Sequence, residues 1–311
     1  MKKIKTIFIV GPTASGKTAL SIELAKKFGG EIVCADSMQI YKGIHIASAA
    51  PCEDEKCGVK HHLFEFLNLD EQFSVADYVK KANEVIKEIA SRGKLPIVVG
   101  GTGLYISSLL QNIQFTEEKV DNNLRVGLEK LFDEVGAEEM LRRLAEFDPE
   151  TAARLHPNNR RRIIRAFEVY KLTGKTLTEQ NEDSKSVPSN LDSLVLGITY
   201  KDRELLYNRI NKRVDIMLEN GLLEEARKNH SISTKQGAFQ AIGHKEFYPY
   251  FENEITFEEA TEVLKRQTRR YAKRQLTWFT KEQSVNWVYP DAQENIFDIA
   301  NKKVEEFLIK E

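Results

Sequence analysis

The sequence predicts an α/β protein in which a parallel β-sheet flanked by helices is interrupted by an all-helical insertion. Three observations carry this. The segment Gly11-Pro12-Thr13-Ala14-Ser15-Gly16-Lys17-Thr18 stands between a strand-like and a helix-like run. Strand and helix patterns alternate along residues 1–112. Residues 116–188 then turn helical, charged and strand-poor before strand character returns. The chain therefore divides into a core, residues 1–115 and 189–311, and a helical insertion, residues 116–188.

The elements follow in order. Ile4–Val10 is a short apolar run and reads as a buried strand. The segment after it matches G-x-x-x-x-G-K-[ST], the phosphate-cradling loop. Its glycines let several backbone N–H groups converge on an anion, and the N-terminus of the next helix adds partial positive charge. Lys17 supplies a full charge, and Thr18 offers a hydroxyl to Mg²⁺ or a phosphate oxygen. Residues 19–25 read as that helix. Both flanks are those the motif requires, so the core is P-loop NTPase-like and binds a polyphosphate whose identity the motif leaves open.

Residues 31–35 form a second strand ending at Asp36-Ser37, residues 75–91 an amphipathic helix, and residues 95–99 a buried strand ending in Gly100-Gly101-Thr102-Gly103. Ligands collect at the carboxyl ends of such strands, so Asp36 and Thr102 face the same crevice as Lys17. Asp36 suits a metal ligand or a general base better than a mere turn cap, because strand ends in this architecture collect site residues. A P-loop NTPase usually ends a strand in a metal-binding acid where this chain has glycine, which argues against an ordinary ATPase. Thr102 is either a donor at the next helix N-terminus or the N-cap of a tight turn, and both roles are compatible.

In the insertion, helices are expected near residues 121–134, 138–146 and 160–172, punctuated by Pro149, Pro157 and Gly174. Residues 193–199 return to strand. A helix over 202–220 has Asp202 as N-cap and Gly221 as stop. A long helix spans 256–281, Val285–Val288 is a late strand, and a final helix ends the chain. Two clusters are basic. Arg160, Arg161, Arg162 and Arg165 lie in the insertion. Lys265, Arg266, Arg269, Arg270, Lys273 and Arg274 recur at three- and four-residue spacing along the long helix. Such a stripe suits a nucleic-acid backbone. It equally suits the C-terminal half of a helix whose start carries Glu258, Glu259 and Glu262. Tyr271 and Trp278 stack on bases or pack, and residues 240–245 read as a polar loop.

Over the 311 residues, 46 Lys and Arg against 47 Asp and Glu leave a net charge of −1, so any RNA surface must be local. No apolar run approaches the roughly 18 residues of a membrane span. Cys34, Cys52 and Cys57 cannot all pair and lack a zinc partner set, so a reducing cytoplasm is expected.

Together these segments resemble the tRNA dimethylallyltransferase family, the tRNA isopentenyltransferases. The stretches that carry the resemblance are GPTASGKT (11–18), ADSMQIYKG (35–43), HHLFEFL (61–67), FSVADY (73–78), PIVVGGTGLY (96–105), ARLHPNNRRRIIRAFEVY (153–170), GKTLTEQ (174–180) and RRYAKRQLTWF (269–279). They are spread over nearly the whole chain. The resemblance implies that dimethylallyl diphosphate, not ATP, sits on the loop. It also implies that the dimethylallyl group passes to N6 of the adenine 3′ of a tRNA anticodon, flipped into the site. It makes Asp36 the acceptor for the adenine amine, with Lys17 and Thr102 at the reacting centre, and Gly11 to Thr18 the diphosphate cradle. Mg²⁺ is the implied metal, on Thr18. The implied tRNA contacts are Asp36, Ser37, Met38, Gln39, Thr102, Arg125, Asn159, Arg160, Arg161, Arg162, Ala241, Ile242, Gly243, His244, Lys245 and Glu246. The helical insertion corresponds to the anticodon-binding domain, and the protein is expected to be a cytoplasmic monomer.

The chain departs from the family at Met38, where arginine is common, and over Ile46 to Pro51, where Ala50 replaces a common lysine. It lacks the Cys/His finger of the eukaryotic branch and so looks like the bacterial form. Two other classes compete with this reading: a small-molecule P-loop kinase and a non-catalytic, nucleotide-dependent RNA-binding switch.

Overall fold

The computed structural model describes residues 3–115, 121–184, 187–230, 238, 241–292 and 295–310. Its strands are β1 (Ile4–Val10), β2 (Gly30–Cys34), β3 (His61–His62), β4 (Leu95–Gly100), β5 (Leu191–Ile198) and β6 (Val285–Val288). Its helices are α1 (Lys17–Phe28), α2 (Glu53–Lys56), α3 (Val75–Ser91), α4 (Gly103–Leu110), α5 (Asn122–Ala145), α6 (Pro149–Arg154), α7 (Arg160–Thr173), α8 (Leu177–Asp183), α9 (Arg203–Glu219), α10 (Leu222–His230), α11 (Tyr248–Phe251), α12 (Phe257–Phe279) and α13 (Ile296–Ile309). The chain forms two compact units, Met1–Leu110 with Ser189–Glu311, and Gln111–Pro188.

In the first unit the strands form one sheet in the order β3-β2-β4-β1-β5-β6, with every neighbouring pair parallel. β1 is central, and its continuous apolar run is the mark of a strand covered on both faces. Phe8 and Val10 enter one core with Tyr78, Ile86, Tyr105 and Phe279. Ile7 and Ile9 enter the other with Leu20, Leu24, Ala300 and Val304. The register sets Val10 beside Gly100, and Cys34 beside Val99. The carboxyl ends of β1, β2 and β4 therefore finish level, which brings the phosphate loop, Asp36 and the glycine loop together. Gly11 takes a φ of 144°, and a Cβ there would lie 2.3 Å from the carbonyl oxygen of Ile198, so only glycine fits.

Sequence periodicity found the long elements to within a few residues. It missed β3, α2, α6, α8, α10 and α11, all too short or too irregular to show a period. Asp202 does cap α9, accepting from the N–H of Glu204, and Gly221 follows its end with a φ of 95°. The second unit packs α5 on α7 through Leu128, Phe132, Met140, Leu144, Ile163 and Phe167. α5 breaks at Gly136, whose φ of 81° interrupts the helix between the two helical runs read from the sequence. The buried Asp148 carboxylate accepts from Thr151 and Thr178 and so joins the starts of α6 and α8.

Candidate active site

A cavity of about 320 Å³ opens at the carboxyl ends of the strands, lined wholly by the first unit. Thr13, Lys17 and Thr18 come from the phosphate loop and the start of α1. Asp36, Ser37, Met38 and Gln39 come from the turn after β2. Val99 and Gly100 end β4. Ala47, Ser48 and Ala49, with Ala241, Ile242 and Lys245, supply two loop walls. α9 and α12 close it with an apolar strip of Ile210, Val214, Met217 and Leu264, and with Arg213, Thr268, Tyr271, Arg274 and Gln275.

Electrostatics concentrate at the loop end. Lys17 Nζ donates to the carbonyl of Pro12 at 2.7 Å. Burial, and then the nearby Arg213 charge, pull the Lys17 ammonium from its usual value down to about 7, against the pull of Asp36. Burial also lowers Arg213, again opposed by Asp36. Arg213 Nη2 donates to the carbonyl of Ala49 at 3.0 Å. Two desolvated cations beside one carboxylate form a site built for an anion more highly charged than Asp36 alone.

Asp36 fills the turn-cap role read from the sequence and also faces the cavity. Its Oδ1 accepts from the N–H groups of Met38 (2.9 Å) and Gln39 (3.4 Å), capping the turn. Oδ2 accepts no hydrogen bond among the described residues, and the side chain lines the cavity. Thr102 stands behind the wall instead of in it. Its Oγ1 accepts from Ser37 N at 2.9 Å and lies 3.3 Å from Ser37 Oγ. Burial and the Asp36 charge raise the Tyr271 phenol. Thr102 thus reaches the cavity through Ser37.

The glycine loop proves to be a packing surface. A Cβ on Gly101 would stand 2.0 Å from the Gln275 amide, and one on Gly103 would stand 2.4 Å from the Trp278 indole. Gln275 Oε1 accepts from Thr13 N at 2.9 Å, and its Nε2 donates to Gly101 O at 3.0 Å. One side chain of α12 therefore joins the phosphate loop to the glycine loop and occupies one of the loop amides. The Trp278 indole donates to Ser107.

Several expected contacts need correction. Among residues 241–246, Lys245 is exposed and Ile242 half-buried, while Ala241, Gly243, His244 and Glu246 are buried. His244 is fully enclosed, with Nε2 on Glu225 at 2.8 Å, and so offers no RNA contact. Gln240 lies outside the described residues. In the insertion, Arg160 pairs with Asp133 and lies over the Phe132 ring, with its side chain still partly exposed. Arg125 faces Glu129 at 3.3 Å and Glu168 at 3.7 Å. Asn159 is half-buried at the start of α7, while Arg161 and Arg162 are exposed with no ion pair among the described residues. The α12 stripe divides. Lys265 pairs with Asp215 at 2.8 Å and Arg269 donates to Asn211, while Arg266, Arg270, Lys273 and Arg274 stay exposed. Met38 packs beside Ile40 and Tyr41, and Ala50 is buried, so neither position is a charged surface.

Sequence reasoning missed Arg213, Gln275 and the apolar strip. Arg213 had a signal: on α9 it sits three residues after Ile210 and seven after Leu206, a charge on the apolar face. Gln275 had none, since its partner lies 262 residues away.

Fold and cavity together define a P-loop protein that sets an anion cradle, a carboxylate and an apolar wall around one compartment. Residues 39–282 match the family described as IPP transferase. The tRNA dimethylallyltransferase of Acetivibrio thermocellus is 49% identical over 287 residues, covering 92% of this chain and 91% of that protein. The enzyme of that name from Bacillus velezensis is 47% identical over 307 residues, covering 98% and 96%. The solved tRNA isopentenylpyrophosphate transferase of Bacillus halodurans superposes with a TM-score of 0.72 at 41% identity over 98% of each chain. A eukaryotic dimethylallyltransferase described as acting on tRNA gives a TM-score of 0.84 at 31% identity, over 98% of this chain and 79% of that one. The chain belongs to the tRNA dimethylallyltransferase family.

Proposed function

We propose that this protein transfers a dimethylallyl group from dimethylallyl diphosphate to N6 of the adenosine 3′ of the anticodon in tRNA, releasing diphosphate and leaving N6-isopentenyladenosine. The observation that carries the reading is the single compartment holding Lys17, Arg213, Asp36 and the apolar strip. The diphosphate is held by the loop from Gly11 to Thr18, with Lys17 and Arg213 neutralising the charge that grows as the allylic C–O bond breaks. The electron pair leaves with diphosphate. Ile210, Val214, Met217 and Leu264 shelter the cationic allylic carbon from water. The adenine amine then forms the new C–N bond, and Asp36 Oδ2 takes its proton. Thr102 holds Ser37, and hence the turn that aims Asp36.

A magnesium ion fits this chemistry on a limited donor set. Among the described residues no cluster of three or more His, Cys, Asp or Glu side chains exists to cage a metal. Mg²⁺ tolerates that, taking one or two protein ligands and completing its shell with substrate phosphate and water. Thr18 would hold it, and its contribution is further charge neutralisation on the diphosphate.

On the tRNA side, Ser37, Met38, Gln39, Lys245 and Arg274 surround the cavity, and Arg161 and Arg162 of the second unit are exposed for phosphate contact. No helix among the described residues is long and apolar enough to cross a membrane. The protein as proposed works in the cytoplasm as a monomer. The deciding experiment incubates it with unmodified tRNA and either allyl-labelled dimethylallyl diphosphate or γ-labelled ATP. Allyl label in tRNA is the expected result. Phosphate label on any acceptor, without allyl transfer, overturns the reading in favour of a kinase.

A further inference from the structure

The backbone turn over residues 46–49, of which Ala47, Ser48 and Ala49 line the cavity, belongs to no strand or helix. Its own backbone hydrogen bonds, Ser48 N to Ile44 O and Ala49 N to Ile46 O at 2.9 Å, shape it, and side chains tie it to the rest of the unit. Glu225 of α10 accepts from Ile46 N at 2.8 Å with Oε2 and from Ala47 N at 2.9 Å with Oε1. Gln39 Nε2 donates to the carbonyls of Ser48 and Ala49 at 3.2 and 3.3 Å. The Ala49 carbonyl also takes Arg213. Fastening Ile46 and Ala47 therefore fixes the carbonyls on which Gln39, the neighbour of Asp36 in the turn, and Arg213, the anion-side cation, both rest.

Glu225 is itself fastened. His244, fully buried, meets Glu225 Oε1 with Nε2 at 2.8 Å. Asn229 Nδ2 donates to the carbonyl of Gly43 at 3.1 Å, which settles the orientation of its amide. The same Nδ2 faces His244 Nδ1 at 3.4 Å, so Nδ1 accepts and Nε2 carries the proton given to Glu225. Burying a carboxylate is costly unless its oxygens are satisfied. Here three donors satisfy it, and two of them are the turn. We infer that Glu225 and His244 are a positioning pair for the transfer reaction, setting the 46–49 turn so that Gln39 and Arg213 hold the two ends of the cavity in register. This rests on the proposed transfer activity, but the pair touches no substrate.

The test compares His244→Leu, His244→Gln and Glu225→Gln, all assayed well below the temperature at which each unfolds. Leucine removes the donor. Glutamine restores one at similar reach and can still accept from Asn229. With a misplaced turn, His244→Leu should lose about tenfold to a hundredfold in kcat, with KM for dimethylallyl diphosphate within about threefold of wild type. His244→Gln should stay within about threefold of wild type in both. Glu225→Gln, which keeps the volume and loses one acceptor, should fall in kcat as His244→Leu does and keeps the test open if the leucine variant does not fold. Amide hydrogen exchange at Ile46 and Ala47 supplies a reading independent of activity, and it should quicken in Glu225→Gln and His244→Leu alone. Wild-type kcat together with undisturbed exchange in Glu225→Gln would overturn the inference. So would a His244→Gln variant as slow as His244→Leu, which would reduce His244 to packing. A wild-type protein without transfer activity would sink the functional reading instead, leaving the exchange result to decide whether the pair holds the turn.

Discussion

At Asp36, turn capping falls on Oδ1 and the proposed proton acceptance on Oδ2, which lets one substitution separate them. Asp36→Asn keeps a carbonyl oxygen for the Met38 and Gln39 N–H groups and loses only the ability to take a proton. Asp36→Ala loses both. We expect kcat to fall by at least about 100-fold in each, with diphosphate affinity little changed. An Asn variant with near wild-type kcat would remove proton acceptance from the mechanism. Lys17 makes a second statement at this scale. Its value near 7 in the free protein means that at about pH 8 much of it is uncharged. An incoming diphosphate favours the ammonium, so binding raises that value and draws in a proton. Calorimetry of inorganic diphosphate binding in buffers of differing ionisation enthalpy reads proton uptake; because diphosphate itself titrates in this range, the wild-type minus Lys17→Ala difference is the measure of Lys17. That difference should approach one proton at about pH 8 and vanish at about pH 6.

Elements meet through single side chains whose partners are far off in sequence, and that is why parts of the site were not legible. The strands, α1, α3, α9 and α12 announce themselves by local periodicity, and Asp36 and Thr102 by standing at strand ends. Gln275, which ties α12 to both the phosphate loop and the glycine loop, is one polar residue in a polar helix. The glycines at 101 and 103 are what the packing of Gln275 and Trp278 requires, since a Cβ at either would meet those side chains. Glu31 shows the same long reach at the opposite ends of the strands. It is buried on β2 and takes His62 of β3 at 2.6 Å, Arg92 at 2.6 Å and Lys94 at 2.9 Å. Burial works against its ionisation, yet the hydrogen bonds of His62 and Lys94 and the charge of Arg92 outweigh it and bring Glu31 down to about 2. A carboxylate lowered on folding stabilises fully above its unfolded value, and that stability drains as pH falls through the folded one. Glu31→Gln should therefore be less stable at neutral pH by about 1–3 kcal/mol. The gap from wild type should close between roughly pH 4.5 and 2 in denaturant melts. A gap that is constant with pH would mean that packing, not charge, is at stake.

At the scale of the whole molecule the net charge of −1 conceals a division of labour. The cavity draws every lining residue from the first unit, so the proposed diphosphate site needs no residue of the second. Both basic clusters were legible as clusters, but which of their members are available was not, because ion pairs are decided by tertiary neighbours. Asp133 takes Arg160, and Asp215 takes Lys265. In the insertion's cluster Arg165, also exposed, lies 3.6 Å from Glu168, while Arg161 and Arg162, adjacent on the first turn of α7, are exposed with no ion pair among the described residues. If they clamp tRNA phosphate, replacing both with alanine should weaken binding of an anticodon stem-loop. It should also reduce the slope of log K against log salt by roughly 0.7 to 0.9 for each phosphate no longer neutralised. Neither side chain supports the α5–α7 core, which is built from Ile163, Ile164 and Phe167, so the melting temperature should hold. Diphosphate affinity should hold too, since neither residue lines the cavity. Arg160→Ala is the informative companion. It should cost stability through Asp133 and the Phe132 ring while leaving the salt slope near wild type. A double variant that bound the stem-loop with unchanged affinity and slope would take the clamp away from the second unit. Responsibility for tRNA would then pass to the exposed face of α12, where Arg266, Arg270, Lys273 and Arg274 lie.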